Sequence, residues 1–231
     1  MIGIIGAMEI EIEGIRSLMT SKEEKIISGV KYVTGELGNN KVVTAVCGVG
    51  KVFAAICAQT MILTFKPDII INTGVAGSID ASLKILDIAV ADKVVQHDMD
   101  TSPIGDPKGL LSGINVIYMN ADEKASELLV KLVRESGINA VRGAIASGDQ
   151  FIASKAQKDT IKTNFPDAVA CEMEGASIGQ VCYVNNVKFA VLRAISDNAD
   201  GGAVEDFPAF AKQTAENYVG IMEKFAQEYT L

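Results

Sequence analysis

The chain carries a single histidine, His97, which argues against a zinc site built on imidazole ligands. Its four cysteines, Cys47, Cys57, Cys171 and Cys182, form no CxxC pair. Three of them lie in apolar segments, the pattern of buried free thiols in a reducing compartment rather than of a disulfide framework. No run of Lys or Arg is present, and the formal net charge is -8. Such a surface repels phosphate backbones, so nucleic acid is not an expected partner. No stretch is long enough to span a membrane. The opening MIGIIGAM is too short, and Glu9, Glu11 and Glu13 follow it where a cleavage site would stand. The expectation is a cytoplasmic protein. Prolines number only 5, and no repeat, low-complexity segment or linker-like shift breaks the chain, so residues 1–231 read as one domain.

What is present is an alternation of short apolar runs and longer helical patterns. Strands are expected at Ile2–Ile5, Asp68–Asn72, Asp87–Val95, Asn115–Tyr118, Ala140–Ser147, Ala168–Cys171 and Lys188–Ile195. Glu24–Ser28, Lys31–Leu37 and Lys41–Cys47 read as antiparallel strands, the last two joined at Gly38-Asn39-Asn40. Helices are expected over 9–20, 51–65, 122–136, 154–164, 173–184 and 207–228. Strands separated by helices imply an α/β fold, a single-domain three-layer sandwich with a central mixed, mostly parallel sheet flanked by helices. Ligands of such sheets bind beyond the carboxyl ends of the strands.

Two glycine patterns lead nowhere. Gly3 and Gly6 are spaced GxxG, not GxGxxG, and Gly48-Val49-Gly50-Lys51 lacks the first glycine and the final Ser or Thr of a phosphate loop. No cofactor is implied. The acids are more informative. At about 100° per residue, Glu11 falls beside the apolar stripe of Met8, Ile12, Ile15 and Met19, whereas Glu9 and Glu13 point elsewhere. Glu11 is either a carboxylate at the stripe's edge or a general base raised by partial burial. Asp197 ends an apolar strand and is either an Asx-turn residue or an acid at the sheet's carboxyl end. Glu172-Met173-Glu174 places two acids at a strand-to-helix junction, where the helix dipole favours them. The same pair could instead accept bonds from sugar hydroxyls, with Met173 against the sugar. Asn72–Gly77 ends a strand in small residues, and Phe151 and Phe207 are each either core or stacking rings.

The order of segments resembles the 5'-methylthioadenosine/S-adenosylhomocysteine nucleosidases, within the nucleoside phosphorylase superfamily. The matching stretches are Ile4-Ile5-Gly6-Ala7-Met8-Glu9, Gly48-Val49-Gly50-Lys51-Val52, Pro67 to Gly74, Arg142-Gly143, Ser147-Gly148-Asp149, Asn164-Phe165-Pro166, Glu172-Met173-Glu174 and Arg193-Ala194-Ile195-Ser196-Asp197. They span nearly the whole chain.

This resemblance implies hydrolysis of the N-glycosidic bond of an adenine thioribonucleoside by a homodimer. It implies Glu11 as the base that activates water and Asp197 as the acid that protonates adenine N7. Phe151 would stack on adenine, with backbone of Phe151-Ile152 reading the base, Glu174 would hold the ribose hydroxyls, and Met173 would lie beneath the sugar. Arg193 and Glu172 would support the pocket, Ala76 and Gly77 belong to its small-residue wall, and Met8, Val49 and Phe207 would line the 5'-alkylthio end. Val75 departs from a common Ser, and Thr101 and Ile104 depart within a loop expected to reach a neighbouring subunit. Three rivals remain: a phosphorylase, disfavoured because the chain has only Arg16, Arg134, Arg142 and Arg193 as arginines; a futalosine hydrolase; and a non-catalytic nucleoside-binding module, which would not need both Glu11 and Asp197.

Overall fold

A computed structural model describes residues 1–199 and 207–230, without the side chains of residues 207–209, 211 and 212. Along the chain run β1 (Ile2–Gly6), α1 (Glu9–Leu18), β2 (Thr20–Ile27), β3 (Val30–Leu37), β4 (Asn40–Val46), α2 (Lys51–Phe65), β5 (Ile69–Ser78) and β6 (Ile88–Gln96). There follow β7 (Tyr118–Asn120), α3 (Glu123–Glu135), β8 (Ala140–Ser147), α4 (Lys155–Asn164), β9 (Ala168–Glu172), α5 (Gly175–Val184), β10 (Lys188–Asp197) and α6 (Phe207–Glu228).

The strands form one mixed sheet in the order β10-β6-β8-β9-β5-β1-β4-β3-β2, with β7 on β6. β1 shows why both faces are covered. Ile2 and Ile4 pack with Ile12, Ile15, Leu129, Tyr218 and Phe225 of α1, α3 and α6, whereas Ile5 joins Ala54, Cys57, Met61 and Cys182 of α2 and α5. A strand apolar on both sides needs a helix layer on each, and that gives the three layers. All four cysteines are buried and unbridged.

β5 and β10 pair in parallel along nearly their whole length, from Lys188↔Ile69 to Asp197↔Gly77. Because β5 also meets β9 at Gly77↔Cys171 and Ser78↔Ala170, the strands β5, β10, β6, β8 and β9 close on themselves. The sequence does not announce this closure. Small residues at 72–77 read as the end of a strand, yet β5 continues through them to Ser78, since glycine permits the bend and close approach that closure requires. β10 likewise runs past Ile195 to Asp197, with a register shift between those residues. The expected strand at 115–118 is displaced to Tyr118–Asn120, because Val116 is taken up in an isolated bridge with Leu111. Among the described residues no helix is long and apolar enough to cross a membrane.

Candidate active site

Beyond the carboxyl ends of β1, β5, β9 and β10 lies a cavity of about 520 Å³, lined by Met8, Glu11, Phe151, Glu174, Arg193 and Asp197 among others. Every residue the sequence assigned to the site lines it except Phe207, whose side chain lies outside the described residues.

Glu11 sits in the first turn of α1, just past the end of β1. Its Oε2 accepts bonds from the backbone N–H of Ala7 at 2.7 Å and of Met8 at 3.0 Å. The chain reverses tightly there, and a Cβ on Gly6 would stand 3.1 Å from that same oxygen. Burial pushes the Glu11 carboxyl above its ordinary value, against the opposing pull of Arg193 and of the Met8, Ala7 and Val75 amides. A buried carboxylate of raised pKa that still faces a cavity is a better proton acceptor than an ordinary one. Glu9 and Glu13 are exposed, as their helical phase requires.

Arg193, in the middle of β10, is buried. Its Nη2 donates to Asn72 Oδ1 and Glu172 Oε2, and Nη1 donates to the Thr73 carbonyl at 3.1 Å. Glu174 Oε2 stands 3.6 Å from the same guanidinium. Burial works against the Arg193 charge, but Glu172, Glu174 and Glu11 outweigh it and raise its pKa. Glu172 also accepts the Ser147 hydroxyl and the Glu174 and Gly175 amides, as the helix-start reading expects, and it lines the cavity as well. Glu174 Oε1 accepts from the Gly50 N–H at 2.9 Å. Burial, with Glu172 beside it, pushes the Glu174 carboxyl up to about 7, although Arg193 and the Gly50 amide oppose the rise.

Asp197 ends the same strand, β10, and lines the same cavity. Its Oδ1 accepts the Ala199 amide at 2.8 Å, an Asx-type turn, and its Oδ2 accepts the Ser196 hydroxyl at 2.7 Å. The turn reading and the acid reading therefore describe the same group. Ser196 supplies a hydroxyl on Asp197, while Val75 lines the cavity in apolar form. Ser196, like Ala7, Gly50 and Ser147, falls within the matching stretches but is given no site role by the sequence. The available signal was position, since each stands at a strand end or helix start beside an acid.

Ile152 and Ala76 are buried, whereas Phe151 is 72% exposed and Val49 53% exposed at the cavity mouth. Both rings and tails of a ligand can meet apolar surface there without displacing core. The charged lining comprises Glu11, Glu172, Glu174 and Asp197 against Arg193 alone among the described residues. Such a pocket favours a developing positive charge and repels an anion. Among the described residues no group of three His, Cys, Asp or Glu could hold a metal ion.

Comparison with known proteins follows the same lines. The profile of the phosphorylase superfamily matches residues 1–227. A 5'-methylthioadenosine/S-adenosylhomocysteine nucleosidase of Staphylococcus carnosus (strain TM300) is 42% identical over 217 residues, 94% of this chain and 95% of that one. The structure of such a nucleosidase from Neisseria meningitidis, in complex with methylthio-immucillin-A, superposes with a TM-score of 0.93 at 32% identity, covering 99% of each chain. A futalosine hydrolase of Helicobacter pylori strain 26695 superposes at 0.92 with 37% identity, covering 99% of this chain and 97% of its own. With the site residues gathered in one acidic cavity and similarity running nearly end to end, the chain belongs to the phosphorylase superfamily, among its 5'-methylthioadenosine/S-adenosylhomocysteine nucleosidases.

Proposed function

We propose that the protein hydrolyses the N-glycosidic bond of 5'-methylthioadenosine and S-adenosylhomocysteine, with Glu11 deprotonating the attacking water and Asp197 protonating adenine N7. The observation that carries this reading is the placement of the two acids along one strand. Glu11 Oε1 lies 3.0 Å from where a Cβ on Gly74 would be, and Asp197 Oδ1 lies 3.0 Å from the corresponding position on Gly77. Three residues of strand separate those positions by roughly 10 Å. Both acids line the same cavity of about 520 Å³, and an acid and a base on opposite faces of a sugar form the layout of an inverting glycosidase.

Adenine departs poorly as an anion, so a proton placed on N7 lets it leave neutral. As the bond stretches, the ribose gains oxocarbenium character, which the surplus of carboxylates around Arg193 stabilises. Water, stripped of a proton by Glu11, then closes on the anomeric carbon from the face opposite the base. Glu174 accepts bonds from the ribose hydroxyls, and Met173 packs beneath the ring. Phe151 stacks on adenine, and Met8 and Val49 meet the 5' tail. Arg193 is already paired with Glu172, which leaves no free cation in the described lining for a phosphate nucleophile.

Adenine release from methylthioadenosine tests this reading. Equal rates with and without phosphate, yielding free methylthioribose, are expected. Release only with phosphate points to a phosphorylase, and none at all defeats the proposal. The likeness to a futalosine hydrolase supports a second reading in which the same pocket accepts an adenine-bearing futalosine, and a parallel assay with that compound ranks the two.

The working form is proposed to be a cytoplasmic homodimer. Exposed Val49, Val52, Phe53 and Ile56 present apolar surface at the start of α2, and Lys51 there pairs with Asp98 of the 97–113 loop at 2.7 Å. A second copy covering this surface would bury it. Light scattering that finds a fully active monomer at assay concentration overturns this assignment.

A further inference from the structure

Outside the reacting groups, one polar assembly joins two walls of the cavity. The backbone N–H of Lys51, first residue of α2, donates to Asp149 Oδ1 at 2.7 Å. The backbone N–H of Asp149 donates to Asp98 Oδ2 at 2.9 Å. Asp98 Oδ1 in turn accepts from Lys51 Nζ at 2.7 Å, which closes a ring. Lys51 and Asp98 side chains are only 19% and 16% exposed. Lys51 Nζ also donates to Gln96 Oε1 at 3.1 Å, and Gln96 Nε2 donates to Gln180 Oε1 at 2.6 Å. The Lys51 carbonyl accepts the Ser177 hydroxyl at 2.6 Å.

Chain neighbours of this ring, Val49 and Phe151 among them, line the cavity. Gly50, one residue before Lys51, holds Glu174 through its N–H and adopts φ +101. A Cβ there would stand 3.1 Å from Asp149 Oδ1, so a residue without a side chain lets the Asp149 carboxylate sit close against this turn. Two residues after Asp149 comes Phe151, exposed on the rim. Burial pushes the Asp98 carboxyl up, but the Lys51 bond and charge and the Asp149 amide outweigh it and hold it below its ordinary value. The ion pair is therefore present at neutral pH.

We propose that the Lys51–Asp98–Asp149 ring is a positioning device for substrate binding, fixing the ribose-side Glu174–Gly50 contact and the base-side Phe151–Ile152 wall relative to one another. The inference rests on the nucleosidase reading above. Glu11 and Asp197 are held elsewhere, on α1 and β10, by contacts that do not include the ring. Loosening the ring thus lets the two binding walls drift while the reacting groups stay in place. Charge-assisted bonds of low exposure are the stronger class, and losing one is expected to weaken binding by about tenfold.

The test is steady-state adenine release by wild type, Lys51→Met, Asp98→Asn, their double variant and Lys51→Arg, with adenine affinity measured by calorimetry. Lys51→Met and Asp98→Asn are each expected to raise KM and the adenine Kd about tenfold with kcat within twofold of wild type. The double variant is expected to be no worse than the worse single, since both remove one interaction, and Lys51→Arg to recover most of the loss. Asp98→Asn keeps the side-chain shape and decides the matter if Lys51→Met does not fold. A KM within twofold of wild type in Asp98→Asn, a fall confined to kcat, or additive losses in the double variant overturns the proposal. A wild type that releases no adenine defeats the nucleosidase reading instead.

Discussion

The guanidinium of Arg193 occupies the space a side chain on residue 74 would need: a Cβ on Gly74 would stand 1.9 Å from Arg193 Nη1 and 3.0 Å from Glu11 Oε1. The glycine is thus the socket for the cation that pairs Glu172. Gly74→Ala is expected to expel Arg193 and leave Glu172 buried without its partner, costing about 3 kcal/mol or more of stability. Urea unfolding measures this, and a loss under 1 kcal/mol would show that the socket is looser than described.

The two acids are expected to fail separately and in the chemical step. Glu11→Gln and Asp197→Asn should each lower kcat by at least ~10²-fold. Product adenine binding should change much less in Glu11→Gln, because Glu11 is assigned to water and not to the base. Wild-type kcat in either variant would remove that residue from the mechanism.

Ser196→Ala frees one oxygen of Asp197 while leaving the Ala199 contact. A hydrogen bond to the carboxylate that forms as the proton leaves is worth about 1.5–3 kcal/mol, so kcat/KM is expected to fall at least about tenfold, with little change in melting temperature. A drop in stability without a drop in kcat/KM would make the hydroxyl purely structural.

The pH dependence has opposite signs for folding and for catalysis. Burial raises the pKa of both Glu11 and Glu174, to about 7 from 4.5 for the latter. A carboxyl raised in the folded state stabilises the fold in its protonated form. That contribution is complete below 4.5 and is lost as pH rises through the raised value. Glu174→Gln should therefore raise the denaturation midpoint more at pH 8 than at pH 5. With Glu11 as the proposed base, hydrolysis would need it ionised, so kcat/KM is expected to fall on the acid side at a pH above the ordinary carboxylate range. An acid limb at or below 4.5 would contradict the burial of Glu11.

Sequence and structure agree most closely where periodicity acts. The phase of α1 alone separates buried Glu11 from exposed Glu9 and Glu13, and Ala140–Ser147 is a strand over the residues expected. Agreement is poorest at 72–78, where Asn, Thr and two Gly carry turn propensity while forming a strand. Pairing with β9 and β10 and the presence of Arg193 decide that segment, and those are contacts between residues about a hundred positions apart. The gathering of Glu11, Glu174 and Asp197 at strand ends followed from topology, but the backbone donors that hold the acids did not. A backbone N–H leaves no mark in the residue type that carries it.

The closure of β5, β10, β6, β8 and β9 into a ring has a consequence for how such proteins diverge. Arg193 and Asp197 are built into β10, which the ring flanks on both sides, and Glu11 meets Arg193 at Gly74. Val49 and Phe151 instead stand on exposed turns outside it. Substitutions at Val49 or Phe151 are therefore expected to change which substrates are gripped, whereas substitutions within the ring are expected to shift the acids themselves.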